Sequence, residues 1–139
     1  MERDVMIEMD LKVGRWHIDF LFAEDDYDDE LVLTRLYDID APIYIMQEVN
    51  RKMDNGNLNE GFTYANPDLM EIVLVVGPSS TGAEFQNTFA HEVYHAASII
   101  ADSIGVDLAG EIPAYMVGDM TLELIDVICK LGCTHCNKF

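Results

Sequence analysis

Two histidines four residues apart, inside a run whose apolar residues recur every three or four positions, leave this chain little freedom between residues 84 and 104. The run Glu84-Phe85-Gln86-Asn87-Thr88-Phe89-Ala90-His91-Glu92-Val93-Tyr94-His95 and its continuation place Phe85, Phe89, Val93, Ala97, Ile100 and Ile104 on one stripe. That spacing predicts an amphipathic helix seated on a core. Thr88, His91, His95, Ser98 and Asp102 fall on a second, polar stripe. At 3.6 residues per turn the two imidazoles lie one above the other. Chance would produce the pentapeptide His91–His95 about 0.01 times in a chain of this composition.

Two imidazoles so placed fit two corners of a tetrahedral Zn²⁺ site, and Glu92, about 100° around the helix, reaches a zinc-bound water as general base. A hydrolytic zinc site requires three protein ligands and one open position. The third ligand comes from elsewhere. Gly105-Val106-Asp107-Leu108-Ala109-Gly110 breaks the helix, and Glu111 opens another with Pro113 in its first turn. An antiparallel return brings Glu111 toward the polar stripe as the expected third ligand. Asp107, Asp102, Asp119 and Glu123 compete: Asp107 sits in the connecting loop, and Asp102 is better placed to orient a ligand. The bland role for Glu111 is to complement its helix dipole. For the developing oxyanion, Tyr115, one turn after Glu111, is the expected donor; Tyr94 is the alternative, and core packing is the commoner fate of either ring.

These residues carry a resemblance. The run 84–95, followed after a glycine-containing loop by Gly110-Glu111-Ile112-Pro113-Ala114-Tyr115-Met116-Val117-Gly118-Asp119, resembles small zincin-like metallopeptidases of tailed phages, prophages and bacterial mobile elements. Glu111, Ala114 and Tyr115 match the family's glutamate and alanine-tyrosine pair, similar to the gluzincin arrangement in which a following helix supplies the third ligand. Asn59-Glu60-Gly61-Phe62-Thr63-Tyr64 and the apolar strand after it fit the same family, so the likeness spans roughly residues 55 to 130. It implies a minimal zincin-like domain and Zn²⁺-dependent peptide hydrolysis. In that architecture a sheet edge strand lies beside the zinc helix and pairs with an extended substrate backbone; the sequence leaves open which strand is the edge.

Charge narrows the partners. Net charge is −18, and between Met53 and Cys129 there is no Lys or Arg, while twelve Asp and Glu fall in that span. Such a surface repels nucleic-acid phosphates and anionic lipids and attracts Zn²⁺ and basic peptide segments. The expected substrate or partner is therefore a protein or peptide segment, basic or neutral rather than acidic; solubility alone also accounts for the acidity. At 139 residues and 50% apolar composition the chain fits one domain over 1–139. Met1-Glu2-Arg3-Asp4 lacks the features of a signal peptide and no run reaches 18 apolar residues, which predicts a cytoplasmic protein of a bacterium or phage-infected cell.

The remainder reads as α+β, with a small antiparallel or mixed sheet packed on the histidine helix and a following C-terminal helix. Val5–Val13 and Trp16–Phe22 are expected strands of a hairpin turning at Gly14-Arg15, with Trp16, Ile18 and Phe20 on one face. Asp29–Leu36 and Pro42–Met53 are expected helices, the second with Asp40 as N-cap and Pro42 in its first turn. Asp54-Asn55-Gly56-Asn57 predicts a turn, Phe62-Thr63-Tyr64 starts a strand, and Leu69–Val76 is the most β-like run.

Three features carry weaker signals. The acidic run 24–30 lacks the glycine and spaced Glu of an EF-hand and reads as a solvated loop. Cys129, Cys133, His135 and Cys136 have metal-like spacing in a tail (129–139), where reduced thiols are the expectation and a second metal the alternative. His17, in a strand pattern, reads as a packed or surface residue rather than a ligand. Three functions compete: a small metallopeptidase, a catalytically silent zinc-stabilised acidic binding protein, and a zinc hydrolase acting on an amide in a small molecule.

Overall fold

A computed structural model of the chain describes residues 6–55 and 61–132. The fold is α+β; the described residues build a four-stranded sheet and five helices. Strands β1 (Ile7–Val13) and β2 (Trp16–Phe22) form the expected antiparallel hairpin, with Val13 opposite Trp16 and Ile7 opposite Phe22. Gly14, at φ +61°, supplies the left-handed residue that a two-residue turn needs. The acidic run then caps: Asp28 Oδ1 accepts from the Leu31 N–H at 3.2 Å and opens α1 (Asp29–Asp38).

Helix α2 spans Ile43–Asp54, and its start departs from the sequence expectation. Pro42, with ψ near 151°, is the capping position itself, without a side-chain bond. Asp40 instead adopts φ +60° and directs its N–H to the Tyr37 carbonyl, so it ends α1 rather than starting α2. Strands β3 (Gly61–Asn66) and β4 (Glu71–Val76) follow. The turn between them consumes Leu69 and Met70, Met70 lying at φ +53°, so β4 begins two residues later than the apolar run. The predicted turn at 54–57 falls partly outside the described residues.

Sheet order is β1-β2-β4-β3, with β2 and β4 parallel and both other pairs antiparallel. Ile18, Phe20, Phe22, Ile72, Leu74 and Val76 face one helical layer, whereas Leu21, Val73 and Val75 face another. The sequence reading provided only the first layer. The continuous burial of Ile72 to Val76 shows why the second is needed: a run apolar on both faces must be covered on both. Helices α1 and α2 supply that cover through Val32, Leu36, Val49 and Met53.

The first layer consists of α3 (Gly82–Ser103), α4 (Glu111–Glu123) and α5 (Ile125–Gly132). Thr81 Oγ1 caps α3 by accepting the Glu84 N–H at 3.1 Å. At the other end Gly105 takes φ +76°; the Val106 N–H reaches the Ala101 carbonyl and the Gly105 N–H that of Asp102. This is the Schellman closure that makes glycine the natural stop. Trp16 Nε1–H donates to Ser103 Oγ at 3.2 Å, tying the end of α3 to the sheet. The expected single following helix is two, broken at Leu124, which is fully buried. No helix among the described residues is long and apolar enough to cross a membrane.

Candidate metal centre and its surroundings

Burial of Phe85, Phe89, Val93, Ala96, Ala97 and Ile100 fixes the rotation of α3 and leaves His91 and His95 in solvent. Their Nε2 atoms stand 3.1 Å apart, and the rings meet edge to face with centroids 4.6 Å apart. Two nitrogens each about 2.05 Å from a common tetrahedral ion are about 3.3 Å apart. The separation suits a hydrogen bond between the two rings and is close to the spacing of two donors on one ion. The polar stripe itself is less uniform than its sequence implies, since Thr88 is buried and the Ser98 hydroxyl is enclosed with no hydrogen-bond partner among the described residues.

Glu92 is only 4% exposed and lies in the seam between α3 and β3. Thr63 Oγ1 donates to Glu92 Oε1 at 2.7 Å. Among the described residues β3 pairs with β4 on one side only, so the strand beside the histidine helix is a sheet edge. Its close pairing with β4 depends on Gly61, at φ +133°, where a Cβ would stand 2.3 Å from the Val75 carbonyl oxygen. Thr63 was not anticipated as a partner of Glu92. Strand alternation supplies the missed signal, for it turns Thr63 away from the face of Phe62 and Tyr64, which pack with α1 and α2.

The remaining expected residues lie farther out. Glu111 is the first residue of α4 and is exposed. Helix α3 continues eight residues past His95 to Ser103, about 12 Å along its axis. Among the described residues, three His, Cys, Asp or Glu donors come mutually within 4.8 Å only at Asp10, His17 and Asp19; His91, His95 and Glu111 do not close such a set. Asp107 uses Oδ1 to accept the Ala109 N–H at 3.0 Å, and Asp102 is exposed. Asp119 and Glu123 lie beside β1 residues Asp10 to Val13. Tyr115 and Tyr94 are 65% and 52% exposed, so neither ring is packed in the core.

His17, partly exposed on β2, meets three carboxylates. Its Nδ1 lies 2.7 Å from Glu71 Oε1, and its Nε2 lies 3.1 Å from Asp10 Oδ1 and 3.9 Å from Asp19 Oδ1. Cross-strand register builds the group, pairing Asp10 with Asp19 and His17 with Glu71. Burial, then the hydrogen bond and charge of Asp10, pushes the Asp19 carboxyl up to about 7. Burial pulls the His17 imidazolium down, but the hydrogen bond to Glu71, its charge and Asp10 outweigh this and leave it raised. Asp10, hydrogen-bonded to Asp19, is held below its ordinary value against the opposing effect of burial, with His17 assisting.

Two other features take their places. In the acidic run, Asp26 Oδ1 accepts the Tyr27 N–H at 2.8 Å, and the Tyr27 hydroxyl is buried with no hydrogen-bond partner among the described residues. Of the cysteines, Cys129 is an exposed free thiol on α5; Cys133, His135 and Cys136 lie outside the described residues. No family model matches this chain, and neither a curated protein nor a solved structure matches it.

Proposed function

We propose that the protein is a zinc-dependent metallopeptidase of the kind found in phages and bacterial mobile elements, acting in the cytoplasm on basic or neutral peptide segments. The observation that carries this reading is the 3.1 Å separation of the His91 and His95 Nε2 atoms beside a buried Glu92 at a sheet edge. The imidazole pair fits a zinc ion. The carboxylate of Glu111, the expected third ligand, does not complete the set in this conformation, so binding requires the α3–α4 connection to close on the histidines.

When bound, the ion would supply Lewis-acid polarisation of a carbonyl. The chain's own residues do the rest. An extended substrate pairs with the free edge of β3. Thr63 holds Glu92 Oε1, leaving Oε2 to take a proton from the attacking water and return it to the leaving amine. The exposed hydroxyl of Tyr115, with Tyr94 as the alternative, donates to the developing oxyanion.

A second reading is favoured by one specific observation: among the described residues no third donor closes on the His91–His95 pair. In that reading the chain is a catalytically silent, zinc-stabilised acidic protein that binds a protein partner. Metal analysis combined with a Glu92→Gln comparison on a peptide library separates the two. A peptidase retains zinc in the variant while turnover falls about 10²–10⁴-fold; zinc-loaded wild-type protein without turnover leaves the silent binder. Equal cleavage of matched Lys-rich and Glu-rich peptides would remove the argument for basic substrates.

A further inference from the structure

The face of the sheet that α1 and α2 cover is left partly open toward β1, where Glu8, Asp10 and Lys12 are exposed. Ile7, Met9, Leu11 and Val13, the alternate residues of β1, pack into the α3 side. The group around His17 therefore lies across the sheet from the histidine pair of α3. Its donors stand on adjacent strands in fixed register, so their spacing follows from backbone pairing rather than from flexible loops.

The donor chemistry is specific. Glu71 engages Nδ1 at 2.7 Å, an arrangement that fixes the tautomer and presents the Nε2 lone pair as a ligand. That lone pair faces one oxygen of Asp10 at 3.1 Å and one of Asp19 at 3.9 Å. Three acceptors facing one another repel unless a proton or a cation lies between them. Donors about 2.0–2.2 Å from a shared tetrahedral ion are separated by about 3.3–3.6 Å, which the observed 3.1 and 3.9 Å bracket. Two acids placed directly opposite on neighbouring antiparallel strands are otherwise destabilising. Arg35 makes its direct ion pair with Glu8 and acts on Asp10 and Asp19 only through space, so it offsets part of the excess without entering the cluster. One imidazole with carboxylates suits borderline transition ions rather than Ca²⁺ or Mg²⁺, which take oxygen ligands.

We infer that Asp10, His17 and Asp19 form a second metal site, distinct from the α3 histidines, that takes a divalent transition ion of the Zn²⁺ class and pins the β1–β2 hairpin, with Glu71 as a positioning residue.

The test starts from a full-length chain carrying His91→Ala and His95→Ala, with Cys129, Cys133 and Cys136 replaced by serine so that no thiol competes. Equilibrium dialysis against Zn²⁺ should still show one ion per chain, and Zn²⁺ should raise Tm. Adding Asp10→Asn, at an exposed position that does not endanger folding, should weaken binding by about tenfold or more and abolish the Tm rise. Glu71→Ala should weaken it by about 10–100-fold, and Glu71→Gln, which keeps an acceptor for Nδ1–H, should restore it. A starting chain that retains no Zn²⁺, or one whose affinity is unchanged by both Asp10→Asn and Asp19→Asn, overturns the site and leaves a cluster that binds protons only.

Discussion

The histidine pair on α3 and the histidine on β2 occupy contrasting surroundings on the two faces of one sheet. His91 and His95 project into solvent from a helix whose opposite side is anchored by Phe85, Phe89 and Val93, and the nearby Glu92 is already engaged by Thr63. His17 stands among carboxylates whose charges are unreconciled, with Asp19 pushed up to about 7 as the sign of that conflict. The helical pair depends on hydrophobic anchoring and satisfied hydrogen bonds. The strand cluster is held by backbone register, which sets Asp10 opposite Asp19 across β1 and β2.

The contrast can be broken in order of expected effect. Removing the anchor is the largest: Phe89, 5% exposed and stacked at 6.2 Å on both Phe22 and Phe85, should cost about 3–5 kcal/mol as Phe89→Ala in urea denaturation. A cost below about 1 kcal/mol would mean that α3 is not seated by this core. Next is the buried hydrogen bond. Thr63→Val preserves shape but leaves Glu92 without its donor, a loss of about 1–3 kcal/mol; an unchanged midpoint would place Glu92 in water.

The third change has the opposite sign. In chelator-treated protein at pH 8, Asp19→Asn should raise stability by about 0.5–1 kcal/mol, because a like-charged pair across β1 and β2 is removed. The same variant sharpens the pH profile. Asp19 binds its proton more tightly folded than unfolded, so its contribution is fully present below about pH 4 and is lost as pH rises through about 7. His17, also raised, contributes in the same direction, whereas Asp10, lowered, contributes above its ordinary range and is lost on acidification. Metal-free wild type should therefore lose stability between pH 5 and 8, and Asp19→Asn should flatten most of that slope in thermal melts. A slope unaffected by the substitution would assign the titration elsewhere.

Legibility followed the range of the interactions involved. The hairpin, α1 and the histidine helix were readable because each is set by neighbours within four residues: Gly14 for the turn, Asp28 and Thr81 for caps, Gly105 for the stop. Where local signals competed, the sequence misled. Asp40 looked like a cap for α2 but was drawn into the end of α1, and the apolar run at Leu69 was interrupted by a turn that needed Met70 in the left-handed region.

Periodicity alone placed His91 and His95 on one helical face, since four residues is nearly a full turn whatever surrounds the helix. Only the tertiary structure decided that Glu92 is buried against Thr63 and that His17 meets Asp10, Asp19 and Glu71. Those outcomes depend on strand order and register between segments as far apart as Asp10 and Glu71. Pairing of that kind arises from how apolar faces share one core, and no stretch of sequence short enough to show a local pattern contains it.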